Sequence, residues 1–146
     1  YGLLRPLDLI QPYRLEMGTQ LVTDKGSNLY EFWGGQVSEL LAADLAESPS
    51  PKVVLNLASQ ECFGVVDPRL IPAEIISPRF EEITAAGKRR MVSFFAKRAR
   101  GEMASWVVTN RVRSLRKLRD FDEAGYRYDV EHSTHRTPVY LRSAAT

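Results

Sequence analysis

Apolar residues recur at helical spacing in two stretches of the chain. Between residues 28 and 47 they fall on one face of a helix, at Leu29, Phe32, Trp33, Val37, Leu40, Leu41 and Leu45. This spacing predicts an amphipathic helix that Asn28 or Ser27 caps and that Gly34-Gly35 weakens. A second helix is predicted from residue 99 to about residue 111, with Ala99, Met103, Trp106 and Val107 on one face.

Shorter apolar runs predict strands. Residues 53–58 read as a buried strand, and Ser59 is expected to cap a short helical turn after it. Residues 73–80 and 90–96 predict an antiparallel hairpin, and residues 125–130 and 138–142 predict a terminal one. The chain is therefore expected to have a mixed α/β (α+β) fold, with a largely antiparallel sheet and two main amphipathic helices.

Composition narrows the class of protein. The 146 residues suffice for one core, so residues 1–146 are expected to form a single domain. Hydrophobic residues make up 44% and charged residues 26%, which are ordinary globular values. A single cysteine, Cys62, and two histidines give no basis for a disulfide, a metal site or a cofactor. No apolar run reaches the roughly 20 residues that span a bilayer, so no membrane partner is expected.

Positive charge is concentrated in one block of the chain. Residues 88–119 carry eleven Lys or Arg and one acidic residue, whereas residues 1–87 carry six basic and twelve acidic residues. Such a block binds polyanions, or it pairs inside the fold with the acidic first half of the chain. The sequence leaves both interpretations open.

Three polar clusters are candidates for anion binding or chemistry. Their members are Arg5, Asp8, Tyr13 and Arg14 in the first, Asn56, Ser59 and Glu61 in the second, and Lys97, Arg98 and Arg100 in the third. Arginines in a proline-stiffened loop either bind phosphate or lock the loop, and polar groups at a strand end either bind a ligand or cap the next helix. The third cluster lies at a predicted helix N-terminus, where cations oppose the helix dipole. A bound phosphate would offset that cost, and so would a carboxylate such as Glu61, Glu74 or Asp8.

A fourth basic run follows the second predicted helix. Residues 111–119 are expected to form a solvated helical face that adds diffuse phosphate contacts. No nucleotide-binding glycine loop, zinc-protease motif or hydrolase nucleophile motif occurs anywhere in the chain.

Five segments of the chain resemble the bacterial peroxide-stress protein YaaA family. They are YGLLRPLDLIQPYRLEM at 1–17, LYEFWG at 29–34, VVLNLASQECF at 53–63, AEIISPRF at 73–80 and SFFAKRARGEM at 93–103. The segments follow the family's order and spacing over nearly the whole chain, and the first and last are long and unusual. Because family members are longer, the chain is expected to be the C-terminal portion of a YaaA-like protein.

The resemblance implies a cytoplasmic protein of the oxidative (peroxide) stress response. It implies that members limit free intracellular iron and bind duplex or distorted DNA through a positively charged cleft with a helix-hairpin-helix element. It also implies a fold that matches no common superfold. We expect the helix-hairpin-helix element to lie in the family's preceding N-terminal region. DNA binding by this chain is therefore expected to be weakened, and exposed surface is expected to favour self-association.

Two hypotheses about function follow. In the first, the protein binds DNA in the stress response, and its anion contacts are Arg5, Arg14, Asn56, Ser59, Lys97, Arg98 and Arg100. In the alternative, it is an enzyme that acts on a nucleobase or nucleotide in a basic pocket, with Asp8, Tyr13 and Glu61 as candidate catalytic residues. Direct iron binding has poor support because two histidines and scattered carboxylates form no Glu-x-x-His pair.

Overall fold

The structure is a computed structural model that describes residues 2–49 and 52–144. Its helices are α1 Leu29–Trp33, α2 Gln36–Glu47, α3 Gln60–Phe63, α4 Ser93–Thr109 and α5 Leu115–Leu118. Its strands are β1 Val53–Leu55, β2 Glu74–Ile76, β3 Arg79–Ile83, β4 Arg89–Arg90, β5 Arg127–Asp129 and β6 Val139–Ser143. These elements confirm the predicted mixed α+β fold. Within the described ranges, every helix is too short or too polar to cross a membrane.

The chain divides into two compact units. The first comprises Tyr1–Lys52 and Ala58–Glu74, and the second comprises Val53–Leu57 and Ile75–Thr146. The second unit contains a four-stranded sheet of order β4-β3-β6-β5. In that sheet β3 pairs antiparallel with β4 and β5 pairs antiparallel with β6, whereas β3 and β6 are parallel. The sheet is therefore mixed and mostly antiparallel, and β5 with β6 confirms the predicted terminal hairpin.

The single helix predicted for residues 28–47 is divided into α1 and α2. Asn28 caps α1 as predicted, since its side chain accepts a hydrogen bond from the Glu31 backbone N–H at 3.0 Å. The break lies at Gly34, which has φ 49° and ψ −126°. Only glycine adopts such a backbone conformation readily, so the Gly34-Gly35 pair ends one helix and allows the next to begin.

Two predicted strands are also shorter than expected. The run at residues 73–80 is split into β2 and β3 at Pro78, which has no N–H to donate to a sheet. In the run at residues 90–96 only Arg90 belongs to a strand, because α4 already begins at Ser93. Ala96 is the first residue of the buried helical stripe, and Phe94 is 71% exposed. Burial recurs there at helical spacing, at Ala96, Ala99 and Met103, so the strand predicted for residues 90–96 is wrong from Ser93 onward.

Aromatic side chains form the core of the second unit. Phe80 of β3 and Tyr140 of β6 stack with ring centroids 5.4 Å apart, and Phe121 and Tyr126 pack edge-on against Phe80. The same cluster includes Ala96, Ala99 and Met103 of α4. Small residues on α4 let the helix lie close to the sheet, and the long helix is thereby held in a fixed orientation.

Two adjacent glutamates of β3 are buried. Glu81 is 4% exposed and Glu82 is 2% exposed. Neighbouring side chains on a strand point to opposite faces of the sheet, so each carboxylate needs its own partners. Glu81 is paired with Arg79 and with Arg89. Glu82 accepts a hydrogen bond from Arg142 Nε at 2.8 Å.

Candidate nucleic-acid interface

Helix α4 carries the three cations of the third basic cluster. Ala96, Ala99 and Met103 are the buried residues of this helix. Lys97 and Arg98 are exposed, because the helix period turns them away from that buried stripe, whereas Arg100 flanks the stripe and is half-buried. The helix therefore presents three cations on a rigid element of 17 residues.

The position of these cations within the helix differs from the prediction. The sequence predicts them at a helix N-terminus near residue 99, but α4 begins at Ser93. Lys97, Arg98 and Arg100 therefore follow the first turn, where the field of the helix dipole is already weak. The argument that a phosphate offsets an unfavourable dipole interaction is wrong here. Any anion binding must rest on the charges themselves.

The ion pair between Arg98 and Glu102 is weak. Arg98 Nε lies 3.5 Å from Glu102 Oε1, and the two side chains are 69% and 41% exposed. Exposed pairs one helical turn apart contribute a few tenths of a kcal/mol. Lys97 makes no ion pair within residues 2–49 and 52–144. Lys97 and Arg98 thus keep most of their positive charge available to an external anion.

Asn56 follows β1 in the second unit and is half-buried. Its side-chain amide donates to Ser77 Oγ at 3.1 Å, and its backbone N–H donates to the Ile76 carbonyl at 2.7 Å. These bonds attach the end of β1 to the end of β2. Asn56 therefore has a structural role whether or not it also contacts a ligand.

The first polar cluster belongs to the first unit. Asp8 Oδ2 accepts from the Arg5 N–H at 2.7 Å, and the Asp8 N–H donates to the Arg5 carbonyl at 3.0 Å. Arg5 Nη2 lies 3.5 Å from Asp44 Oδ1, with 77% of the Arg5 side chain exposed. These contacts fit the loop-locking interpretation for Asp8, while Arg14 and Tyr13 are exposed.

Ser59 caps α3, and Glu61 connects α3 to α1 and to the segment at Met17. Ser59 Oγ accepts from the Cys62 N–H at 3.2 Å, which confirms the predicted cap of α3. Glu61 Oε1 accepts from the Met17 N–H at 2.9 Å. The Glu61 carbonyl accepts from Tyr30 Oη at 2.9 Å. The carboxylate of Glu61 thus has a structural partner and is exposed.

The predicted site residues are distributed over both units. Arg5, Asp8, Tyr13, Arg14, Ser59 and Glu61 lie in the first unit, and Asn56, Lys97, Arg98 and Arg100 lie in the second. Lys97, Arg98 and Arg100 lie on the same helix, α4, whereas the other predicted contact residues lie on separate segments. The candidate interface is therefore the surface of α4.

Sequence reasoning missed a pocket in the second unit. It assigned residues 111–119 to a solvated face, but Arg116 and Arg119 line a concave site together with Tyr128 and His135. Residues three apart lie on the same side of a helix, so the spacing of Arg116 and Arg119 in the sequence indicates that the two side chains share one surface. The pocket contains none of the candidate catalytic residues from the enzyme hypothesis.

Asp129, Glu131 and His132 form a small surface cluster of metal-ligand residue types. Their ligand atoms lie within 4.8 Å of one another. Asp129 Oδ2 is already 2.5 Å from His132 Nδ1 and 3.8 Å from Arg89 Nη1. Burial acts to raise the pKa of Asp129, but the hydrogen bonds from His132 and from backbone N–H groups outweigh it and lower that pKa. The cluster is explained by these internal contacts.

Comparison with known proteins places the chain in a family. The family model described as peroxide stress protein YaaA matches residues 1–132. A UPF0246 protein of Cellvibrio japonicus is 49% identical over 142 residues, covering 97% of this chain and 54% of its own length. UPF0246 proteins of Shewanella baltica (strain OS195) and Roseobacter denitrificans are each 50% identical over 143 residues, covering 98% and 97% of this chain. The chain spans about half the length of these curated relatives. It belongs to the peroxide stress protein YaaA family.

Proposed function

We propose that this protein acts in the peroxide stress response by binding DNA in the cytoplasm, with α4 as its main phosphate-contacting element. The observation that supports the proposal is the cluster of Lys97, Arg98 and Arg100 on one helix, in which Lys97 and Arg98 are exposed and the pair between Arg98 and Glu102 is open to solvent. The cluster lies within the block of residues 88–119, where eleven cations meet one acid. Family membership supplies the link to stress.

The geometry suits a polyanion better than a small ligand. Lys97 and Arg98 form an exposed surface on the helix, and the half-buried Arg100 flanks its buried stripe. DNA phosphates are bound by such surfaces through charge and counterion release, with little need for an enclosing pocket. Anchoring of α4 on the aromatic core fixes the helix before binding, so little conformational entropy is lost when DNA arrives.

The first test is the triple variant Lys97→Ala/Arg98→Ala/Arg100→Ala. Removing one phosphate contact flattens the slope of log K against log salt by about 0.9, so a change of up to about 2.7 is expected for all three. The Kd for a duplex at low salt should rise, since three charge-assisted interactions with phosphates are removed. Fluorescence anisotropy at several salt concentrations measures both quantities.

The matched control removes the same charge elsewhere in the second unit. Lys88, Arg113 and Arg127 are exposed and make no ion pair in the part of the chain that the structure describes. Their triple alanine variant has the same net charge as the test variant. It is expected to reduce the affinity and the slope less than the test variant does, because only Arg113 belongs to the run with diffuse phosphate contacts. Equal reductions in both variants would assign binding to net charge alone and would contradict the assignment to α4.

We further propose that the protein limits iron damage by acting on DNA, without a tight iron site of its own. In the described residues, the group with metal-ligand residue types consists of Asp129, Glu131 and His132. Arg89 Nη1 lies 3.8 Å from Asp129 Oδ2. A neighbouring guanidinium and a carboxylate already bonded to histidine both oppose cation binding.

Calorimetric titration with Fe(II) under anaerobic conditions tests this second part. Binding no tighter than about millimolar is expected, because one histidine and two carboxylates at the end of β5 offer few and partly occupied ligands. Stoichiometric binding at micromolar concentration that disappears in the variant His132→Ala would show a direct iron site. That result would overturn the indirect role in iron protection.

A further inference from the structure

The second unit contains a pocket of about 470 Å³ beside α5. Its polar lining comes from Arg116, Arg119, Tyr128, Ser133, Thr134 and His135. Its apolar lining includes Leu118 and Tyr140, which are 5% and 0% exposed. An apolar lining that carries a few convergent polar groups, in a volume of this order, is typical of small-molecule sites.

Positive charge dominates the polar lining. Its two arginines are the charged side chains among the described lining residues, none of which is acidic. Three acids, Asp120, Asp129 and Glu131, adjoin lining residues in the sequence. Asp120 accepts from Lys117 Nζ at 2.9 Å, and Asp129 Oδ2 lies 2.5 Å from His132 Nδ1. Arg116 and Arg119 thus line the pocket without an acidic residue among the other lining groups, and a concave positive surface of this kind concentrates anions.

The Arg119 guanidinium is positioned by an aromatic ring. Its Cζ lies 5.4 Å from the centroid of the Tyr128 ring, which also faces the pocket. A cation–π contact orients the planar guanidinium without neutralising its charge, so its N–H groups can still donate to an anion.

A hydrogen-bonded turn forms one wall of the pocket. Ser133 Oγ donates to the Asp129 carbonyl at 2.5 Å and accepts from the Val139 N–H at 2.8 Å. The Thr134 N–H donates to the Thr137 carbonyl at 3.1 Å, and the Thr137 N–H donates to Thr134 Oγ1 at 3.1 Å. Because these bonds exist before any ligand binds, the wall is pre-formed and binding costs little ordering entropy.

We propose that this pocket binds an aromatic phosphomonoester, of the chemical class of a nucleoside 5′-monophosphate. A phosphate dianion can accept from both guanidinium groups at once, whereas one carboxylate is satisfied by a single arginine. The half-buried Tyr128 ring, with the accessible side chains of Leu115 and Val130, then receives the aromatic part of the ligand. The ligand is either a free nucleotide or the 5′-phosphorylated end of a nucleic-acid strand. No residue of α4 lines the pocket, so the proposal stands independently of DNA binding by α4.

Calorimetry with AMP, adenosine and inorganic phosphate tests the ligand class. AMP is expected to bind at least about tenfold more tightly than adenosine or phosphate alone, because only AMP engages both the arginines and the apolar lining. Arg116→Ala/Arg119→Ala should lower AMP affinity by at least about tenfold and leave the Tm unchanged, since both residues are exposed. The control Arg113→Ala changes a nearby exposed arginine outside the pocket and should leave AMP binding intact. Equal binding of AMP and adenosine, or equal reductions in test and control, would overturn the proposal.

Two oligonucleotides distinguish the sources of the phosphomonoester. A single strand with a 5′-phosphate is compared with the same strand bearing a 5′-hydroxyl. Preference for the phosphorylated strand that disappears in Arg116→Ala/Arg119→Ala assigns the pocket to strand ends. Equal affinity for the two strands, together with AMP binding, assigns it to free nucleotides. Failure to bind either AMP or the 5′-phosphate with any preference would refute the site, whatever the triple variant of α4 shows.

Discussion

Arg142→Met is expected to destabilise the second unit by about 3–5 kcal/mol, because it removes one partner of a buried ion pair. Glu82 is 2% exposed and accepts from Arg142 Nε at 2.8 Å. Its other cationic neighbour is Arg90, with Nη2 3.8 Å from Oε2. The guanidinium of Arg142 also lies over the ring of Phe95, 4.0 Å from its centroid. Methionine keeps much of that packing, so the expected destabilisation comes from the buried carboxylate, which is left with only the longer pair to Arg90.

Urea unfolding of three further variants identifies the cause. Glu82→Leu/Arg142→Met should cost clearly less than the sum of the two single changes, because no unpaired charge is left buried. The control is Glu102→Gln, which breaks the exposed pair with Arg98 and should cost under about 0.5 kcal/mol. Equal costs for Arg142→Met and Glu102→Gln would show that burial does not strengthen the pair at Glu82.

The fold class was predictable because it depends on local patterns. The caps at Asn28 and Ser59, the short helix before residue 119 and the terminal hairpin each have their signals within a few residues of sequence. The parallel pairing of β3 with β6 has no such signal. It joins Phe80 to Tyr140, sixty residues apart, and depends on the packing of side chains that the sequence does not show to be neighbours.

The start of α4 shows why helix and strand were confused. Residues 90–96 contain a short apolar run, and such runs fit a strand or a buried helix equally well. The distinction depends on which side chains become buried. Here Ala96 is 3% exposed and Phe94 is 71% exposed, so the small residue faces the core and the large one does not.

The sequence indicated that the candidate site would contain basic residues, but it did not show which of them lie together in the fold. The block of positive charge pointed to anion binding, and the cations of α4 do share one helix. The argument from the helix dipole failed because it required an exact helix boundary, which is the least certain feature of a sequence prediction. The pocket at Arg116 was missed because its lining includes Tyr128 and His135, which reach it only through the tertiary fold.

Phe80→Ala is the second change with a large expected effect. The ring is 2% exposed and lies against Phe121, Tyr126 and Tyr140, with centroids 5.3–6.1 Å away. Removing a buried Phe side chain costs about 3–5 kcal/mol through reduced burial and a residual cavity. Because Ala99 of α4 belongs to the same cluster, removal of the ring also loosens the support of the basic helix.

The matched control is Phe94→Ala, which removes the same side chain from a position that is 71% exposed. Its cost should stay near or below about 1 kcal/mol, since little apolar surface was withdrawn from water and no cavity forms. Urea unfolding gives both free energies, and DNA anisotropy on the same samples shows whether affinity follows the support of α4. We expect Phe80→Ala to lose both stability and DNA affinity, and Phe94→Ala to keep both. If Phe80→Ala instead retained full stability, the stacked aromatic cluster would not be the core that orients α4, and the rigid basic surface inferred for DNA binding would lose its structural basis.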